Sequence, residues 1–576
     1  MDQAFIKGMD ISSYPEMLDK GYKYYDYDGN EVELIDFAVS QGFNYARLRI
    51  WNEPQKHPKA KGYCDLAHTK RMAQEIKKRG IGLLLDFHYS DWWADPGNQT
   101  KPEAWQKLDN DALTKAVYTF TRETLTELDM AGAYPDMVQI GNEIRCGMLW
   151  PEGKTDHWPL LAGFINAGIR AVRDTQKQRD TKVVLHLDQG GRYYYLEEWF
   201  DNCLANHVTD FDIIGLSYYA FWHGSYNDLK NSMEKLAQRY QRPLIIAEAA
   251  HGYRVIKGGL FDEPQERLAG FPASPAGQRA AMELVMGITA NISGGKGLGI
   301  FYWEPFSMAG CDDGSWGSCM GLVDQKGRPM EGLKAFGENP YDMDAAGYVK
   351  LYAPEPVKLT EDQAAGFAEY LPWRIKALRL DGNIEKLPVS WEENITLRPG
   401  VNEIKGSCNG ETLAVQILLA GEADSVNLAA NSAFEDGFEG WRIERPDCVE
   451  LQRREKIADE VSADEFPYLY IRGRDKFVFC LSRKIHVKRK GRYRFSLSFM
   501  GDNTTGVKVQ MYMMADGVKA DHAIFPEELW HEHSVSIEVA DTDKNTDGTD
   551  IEIGFRMDSP VSYGAVRDIK VTYEKA

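Results

Sequence analysis

An α/β (β/α)8 TIM barrel followed by two small all-β sandwich domains is the fold that three features of this 576-residue chain predict. Up to about residue 340, short apolar or β-branched runs alternate with longer amphipathic stretches, the pattern of repeated βα units. Those runs number eight, the count at which parallel strands, each followed by a helix, close into a barrel. Beyond them the helical periodicity fades, and alternating strands broken by Gly, Asn and Asp turns take over. A doubly wound open sheet is the competing reading, but no Gly-rich phosphate loop follows the first run. The chain is also too long for one core. We place the barrel at 1–345, a first sandwich at 346–425 and a second at 426–576.

The eight runs, taken in order, share one feature. "FIKGMDIS" carries Asp10 near its end, and "YARLRIW" sets Arg47, Arg49 and Trp51 on one face through the two-residue period of a strand. "IGLLLDFHY" closes on His88, "MVQIGNE" on Asn142 and Glu143, and "KVVLHLD" on Asp188. "IIGLSYYA" ends in Tyr218 and Tyr219, "PLIIAEAA" holds Glu248, and "GLGIFYWEP" finishes through Trp303 and Glu304. Between them lie helix-like segments such as 65–79 and 111–131. An unpartnered carboxylate is costly to bury, so a strand that stops on one either meets solvent or has a use for it. In a barrel these ends converge on the C-terminal face, where the fold keeps its active sites.

The later segments read as sheets. "RIKALRLDGNIEKLPVSWEENITLRPGVNEIKG" suits a small β-sandwich with "DGN" and "RPGVN" as turns, and the segment resembles bacterial Ig-like modules. The last opens at "NSAFEDGFEGW" and runs through "KFVFCLSRKIHV", "YRFSLSFM", "VKVQMYMM" and "DIEIGF" to "AVRDIKVTY", the length and strand count of a jelly-roll sandwich.

Composition narrows the partners. A net charge of −20 opposes a polyanion such as nucleic acid, which needs clustered Lys and Arg, but is compatible with a neutral polymer. Fourteen Trp, 29 Tyr and 24 Phe suit sugar stacking and equally suit large ordinary cores. The eight Cys form no CxxC pair; Cys311 and Cys319 share a Gly-rich loop and could bridge, with two free thiols the preferred reading. The start, "MDQAFIKGMDISSY", lacks a secretory leader and no stretch is long enough to span a bilayer, so no membrane partner is expected. The compartment stays open between cytoplasmic and, with a trimmed leader, secreted or cell-surface.

Glu143 and Glu248 end the fourth and seventh runs, which face each other across an eight-stranded barrel. Such a pair fits glycoside hydrolysis, in which one carboxylic acid protonates the leaving oxygen and a second carboxylate attacks the anomeric carbon, at a separation of about 5–5.5 Å when configuration is retained. A pair of glutamates held by Arg or Lys in a polar barrel top is the plainer alternative. Arg47 or Arg49 beside the nucleophile is expected to hold it ionised, and Asn142 can donate to a sugar hydroxyl. "DFHYSDWWADPGNQTKPEAW", after the third run, is dense in His, Asp and Trp for a solvated connection.

Six motifs in order, "NYARLRIWNEP", "DFHYSDWWADP", "QIGNEIRCGMLWPEG", "GLSYYAFWHG", "IIAEAAHGY" and "FYWEPF", resemble glycoside hydrolase family 53, the endo-β-1,4-galactanases. The resemblance implies a retaining enzyme acting on β-1,4-galactan or galacto-oligosaccharides, as a monomer and without an organic cofactor. It makes Glu143 the acid/base and Glu248 the nucleophile. It further places Arg47, His88, Asn142, Tyr219 and Trp303 around the cleaved bond, with Asp91, Trp93 and Asp188 contributing sugar contacts. Two departures stand out. Ala249, Ala250 and His251 follow the nucleophile where the family has a Thr and an aromatic, and "RVIKGGLFDEPQERLAGFPASPAGQ" has only Asp262, Glu263 and Glu266, without EF-hand-like spacing, where bacterial members often carry a calcium loop rich in Asp, Asn and His, so no metal is expected. The last segment resembles carbohydrate-binding modules. A related barrel enzyme on another β-glycan, or a non-catalytic galactan-binding protein, are the alternatives.

Overall fold

The computed structural model of the chain describes residues 4–308, 315–354, 356–392 and 395–420, and beyond them 427–429, 432, 434, 438, 440–445, 449–452, 468–472, 476–487, 490–502, 506–527, 529–539, 549–559 and 563–574. It divides into two compact units: Met1–Lys350 with Ala377–Glu385, and Leu351–Lys376 with Lys386–Ala576.

The first unit is the predicted barrel. Its strands are β1 (Ile6–Asp10), β2 (Tyr45–Ile50), β3 (Gly82–Phe87), β4 (Met137–Ile140), β5 (Lys182–Leu187), β6 (Ile213–Tyr218), β7 (Leu244–Ala249) and β8 (Gly297–Tyr302). All pair in parallel with their sequence neighbours, and β1 joins β8 through Ile6↔Gly299 to close the ring. The helix-like segments are helices at Leu66–Lys78 and Asn110–Met130. Each starts one residue after an aspartate, because the Asp65 and Asp109 carboxylates accept from the backbone N–H three residues on and so act as N-caps.

The barrel interior changes character along its axis. One layer is apolar, made of Ile6, Leu84, Met137, Val184, Ile213, Ile245, Ala247 and Phe301. Toward the C-terminal ends the inward positions turn polar, with Asp10, Arg47, Asp86, Gln139, His186, Ser217 and Glu248 all buried. Buried polar groups persist only when paired, so this layer is a hydrogen-bonded network by necessity.

Among its described residues the second unit is all-β apart from a 3-10 stretch at Glu361–Tyr370. A four-stranded sheet orders Val357–Thr360, Glu411–Ala420, Gly400–Cys408 and Ser390–Trp391 around Leu359, Ile404, Val415 and Ile417. Two antiparallel five-stranded sheets follow, and they enclose a core that includes Leu469, Phe479, Leu497, Met511, Phe555 and Val571. Every strand expected in the last segment is present: Phe477–Val487, Gly491–Gly501, Lys508–Ala515 and Thr549–Ser559. Most of "NSAFEDGFEGW" and the Cys311 position lie outside the described residues; Cys319 is buried, its Sγ 3.6 Å from the Ser315 carbonyl. Among the described residues no helix is long and apolar enough to cross a membrane.

Candidate active site

The fourth run does not end as a strand. β4 stops at Ile140, and the chain then turns through two left-handed residues, Gly141 (φ +80°) and Glu143 (φ 47°, ψ 50°). Gly141 must be glycine, since a Cβ there would lie 2.6 Å from Ile144 Cγ2. Glu143 has no such freedom, and a left-handed non-glycine residue held by its surroundings is a form of strain that gathers at functional sites. The turn delivers Glu143 to a cavity of about 560 Å3 at the barrel mouth, lined also by Glu248, Arg47, Tyr219, Asp188 and Trp303. That volume suits a small ligand or part of a polymer.

The two glutamates have unequal company. Glu248, 6% exposed, accepts from Arg47 Nη1 at 2.9 Å on Oε1 and from the Tyr219 hydroxyl at 2.9 Å on Oε2. Glu143 accepts on Oε1 from the Ser217 hydroxyl at 2.6 Å, and Oε2 takes no hydrogen bond from the described residues. Burial, then the negative charges of Glu248 and Asp188, push the Glu143 carboxyl well above the ordinary range, with Ser217 and Arg47 pulling the other way. Burial also raises Glu248, to about 7, against the pull of Arg47 and Tyr219. The arginine beside the nucleophile position does lower its value, but desolvation is larger.

These raised values bear on stability. A carboxyl that binds its proton more tightly in the folded state favours folding at low pH and loses that contribution as pH rises through the unfolded and then the folded value. Glu143→Gln has no such proton to hold. It is expected to raise the melting temperature by roughly 2–4 °C near pH 8 and to leave it unchanged near pH 4. Thermal melts at the two pH values check this, and an equal shift at both would contradict it.

Arg47 is the hub. Its guanidinium, 1% exposed, reaches Asp10 Oδ2 at 3.1 Å, Asp86 Oδ2 at 2.8 Å, Asn142 Oδ1 at 2.8 Å and Gln139 Oε1 at 3.3 Å besides Glu248. Arg49 goes elsewhere, to Glu304 Oε1 at 2.5 Å, with its guanidinium 4.1 Å from the Trp93 ring centre. Only the first of the two candidate arginines touches the nucleophile position.

The remaining predicted residues divide. Tyr219, Asn142, Trp93, Asp188 and Trp303 line the cavity. Asn142 Nδ2 donates to the Ala94 carbonyl at 2.8 Å, which leaves one amide hydrogen for a ligand. Asp188 accepts from Arg145 Nε at 2.9 Å. His88 also lines the cavity, but both its nitrogens have partners: Nδ1 accepts from Ala94 N at 3.0 Å, and Nε2 therefore carries the hydrogen toward Asp86 Oδ2 at 3.0 Å. It thus shapes the loop after β3. Asp91 stands apart. It is buried outside the cavity lining, and its two oxygens accept from the backbone N–H of Glu53 and Glu103, each at 2.8 Å, so it ties two loops together.

Sequence reasoning passed over Trp222, Trp316 and Arg145, which line the same cavity. Trp222 stood inside the quoted "GLSYYAFWHG". Trp316 sits in the loop weighed only for its cysteines; its Nε1 donates to the Trp303 carbonyl at 3.1 Å, and the two rings meet edge-on at 4.4 Å. Among the described residues no group of three or more His, Cys, Asp or Glu side chains is placed to hold a metal.

A parallel eight-stranded barrel with paired acidic residues and tryptophans at its C-terminal mouth defines a glycoside hydrolase of the barrel type. The profile of glycosyl hydrolase family 53 matches residues 6–336, more than half of the chain, and the protein belongs to that family. An endo-beta-1,4-galactanase of Bacillus subtilis (strain 168) is 35% identical over 315 residues, 53% of this chain and 71% of its own. An arabinogalactan endo-beta-1,4-galactanase of Thermothelomyces thermophilus is 31% identical over 335 residues, 57% of this chain and 98% of its own. Among solved structures, the Ignisphaera aggregans GH53 catalytic domain superposes with a TM-score of 0.54 at 36% identity, covering 58% of this chain and 95% of that one.

Proposed function

We propose that the protein is a retaining endo-β-1,4-galactanase that cleaves galactan by double displacement, with Glu143 as acid/base and Glu248 as nucleophile. The unequal setting of the two carboxyls carries this reading. Glu248, with a cation and a phenol on its oxygens, is the one kept ready as carboxylate, whereas Glu143, with a single hydroxyl, holds its proton to higher pH. In the first step the Glu143 proton goes to the glycosidic oxygen as a Glu248 oxygen bonds to the anomeric carbon and the C–O bond breaks. Esterification removes the negative charge opposite Glu143, its proton affinity falls, and it takes a proton from the water that releases the sugar. The chemistry runs on the carboxyl groups with no organic cofactor or metal.

The substrate comes from the relatives' specificity and from the aromatic lining. Trp93, Trp222, Trp303 and Trp316 offer ring faces on which the apolar face of galactose can stack. Linear β-1,4-galactan is expected to be cut internally, with oligosaccharides of mixed length appearing first, while β-mannan is left intact. A chromatographic product profile over time on both polymers tests this. Galactose alone at the earliest points would replace the endo reading with an exo one, and an inverted anomer in an NMR time course would remove the retaining mechanism.

A further inference from the structure

The acid/base carboxyl is held by one group, and that group is itself held. Ser217 is wholly buried on β6, and its Oγ lies 2.6 Å from Glu143 Oε1 and 2.9 Å from His186 Nε2. His186, wholly buried on β5, has its Nδ1 3.0 Å from both Gln139 Nε2 and Asn142 Oδ1. Gln139 Nε2 lies in turn 2.6 Å from Asp86 Oδ1, and Asn142 Oδ1 accepts from Arg47. A line of buried polar side chains thus runs from the arginine hub to one oxygen of Glu143.

Counting hydrogens assigns the direction of that line. Ser217 has one hydroxyl hydrogen and two neighbours that can accept it. When Glu143 is ionised it can only accept, so the Ser217 hydrogen goes to Oε1. Nε2 of His186 must then carry a hydrogen, or two lone pairs would face each other at 2.9 Å. His186 is neutral, because burial and the nearby Arg47, His88 and His223 push it well below its ordinary value, so Nδ1 is bare and shares the Gln139 amide hydrogen with Asn142 Oδ1, an acceptor 3.0 Å from Nδ1 and 3.2 Å from Gln139 Nε2. Protonating Glu143 on Oε2 leaves this arrangement intact, whereas protonating it on Oε1 forces Ser217 to reverse.

We propose that Ser217, oriented by His186, is a positioning residue that decides which oxygen of Glu143 carries the catalytic proton, keeping it on Oε2. Oε2 is the oxygen with no hydrogen bond from the described protein and so the one left for the glycosidic oxygen. The inference rests on the acid/base reading of Glu143 proposed above. It also sets the proton affinity, since a donor to the carboxylate form lowers it. Glu143 further faces Glu248 from β7, Asp188 after β5, Arg47 from β2, Tyr219 after β6 and Arg145 on its own turn, none of which changes in the variants below.

The test is the pH dependence of kcat/KM on soluble galactan for the full chain and for Ser217→Ala, Ser217→Thr and Glu143→Ala. The basic limb reports the acid/base group. Ser217→Ala is expected to move that limb upward by about one pH unit, to lower kcat about tenfold and to leave KM near its starting value. Ser217→Thr, which keeps the hydroxyl, should return both toward the parent. His186→Phe should shift the limb the same way by less; if it does not fold, the two Ser217 variants decide. A basic limb that stays in place in Ser217→Ala, while Glu143→Ala loses activity on galactan, overturns the positioning role and leaves the acid/base reading standing. Galactan activity that survives in Glu143→Ala overturns that reading itself.

Discussion

Glu248→Gln is expected to abolish hydrolysis of every substrate, with kcat reduced about 10,000-fold or more. The change keeps shape, and its amide oxygen can still accept from Arg47 or Tyr219, so the folded barrel and much of the binding should persist. What disappears is the electron pair that attacks the anomeric carbon. Glu143→Ala is expected to behave differently, losing about 100- to 10,000-fold on galactan, where the leaving oxygen needs a proton. An aryl galactoside with a good leaving group, if the cleft admits it, should keep its first step in that variant. The galactosyl enzyme then waits for a base that is no longer present, and added azide, which needs none, should yield a β-galactosyl azide. Nuclear magnetic resonance of the azide product decides the matter. An α-configured azide would mean a single displacement, and equal loss in both variants on the aryl substrate would mean that the two carboxyls do not divide the work as proposed.

Much of the barrel was legible because each strand is an apolar run that ends on polar or aromatic residues, a pattern set by the layering of the interior. The lower layer, Ile6, Leu84, Met137 and Phe301 among its members, reads as ordinary core. Single polar residues inside apolar runs, such as Gln139 in "MVQIGNE", His186 in "KVVLHLD" and Ser217 in "IIGLSYYA", are the upper layer seen in sequence. They were passed over in favour of the residues at the ends, although a lone polar side chain on the inward period of a buried strand has to be hydrogen-bonded. The strand ends themselves were harder. "MVQIGNE" reads as one run, but β4 ends three residues early because Gly141 and Glu143 are left-handed; the glycine was the available signal.

The family resemblance singled out Arg47, but the strand pattern could not say which arginine reaches Glu248, because a two-residue period puts Arg47 and Arg49 on the same face. Register across the sheet separates them. Arg47 pairs with Asp10 on β1 and Leu84 on β3, level with the carboxylates, whereas Arg49 stands two residues nearer the mouth and meets Glu304. Long-range loop ties hide in the same way. Nothing near Asp91 announces that the backbone of Glu53 and Glu103 will occupy both its oxygens, and nothing near Trp316 announces Trp303.

Arg47→Met is expected to damage fold and chemistry together, and the pH dependence separates the two. The guanidinium is the shared partner of Asp10, Asp86 and Glu248, all buried, and methionine of similar length offers them nothing. Leaving buried carboxylates without their cation costs about 3–5 kcal/mol, so the melting temperature of the barrel should fall clearly. Arg47 is the group that pulls Glu248 down toward about 7, so its loss moves that carboxyl higher. A carboxyl raised in the folded state favours folding below its unfolded value and loses that contribution as pH climbs, so the deficit relative to the parent should be smaller near pH 5 and larger near pH 8. The acid limb of kcat/KM should move upward for the same reason, with activity at its optimum down about 100-fold or more. Arg47→Lys keeps the charge but has one ammonium where a planar fork served several partners, so it should recover part of the stability and little of the activity. A melting deficit that is flat from pH 5 to 8, or an Arg47→Met enzyme within about tenfold of the parent and with an unmoved acid limb, would show that Arg47 is a structural tie with no hold on the nucleophile.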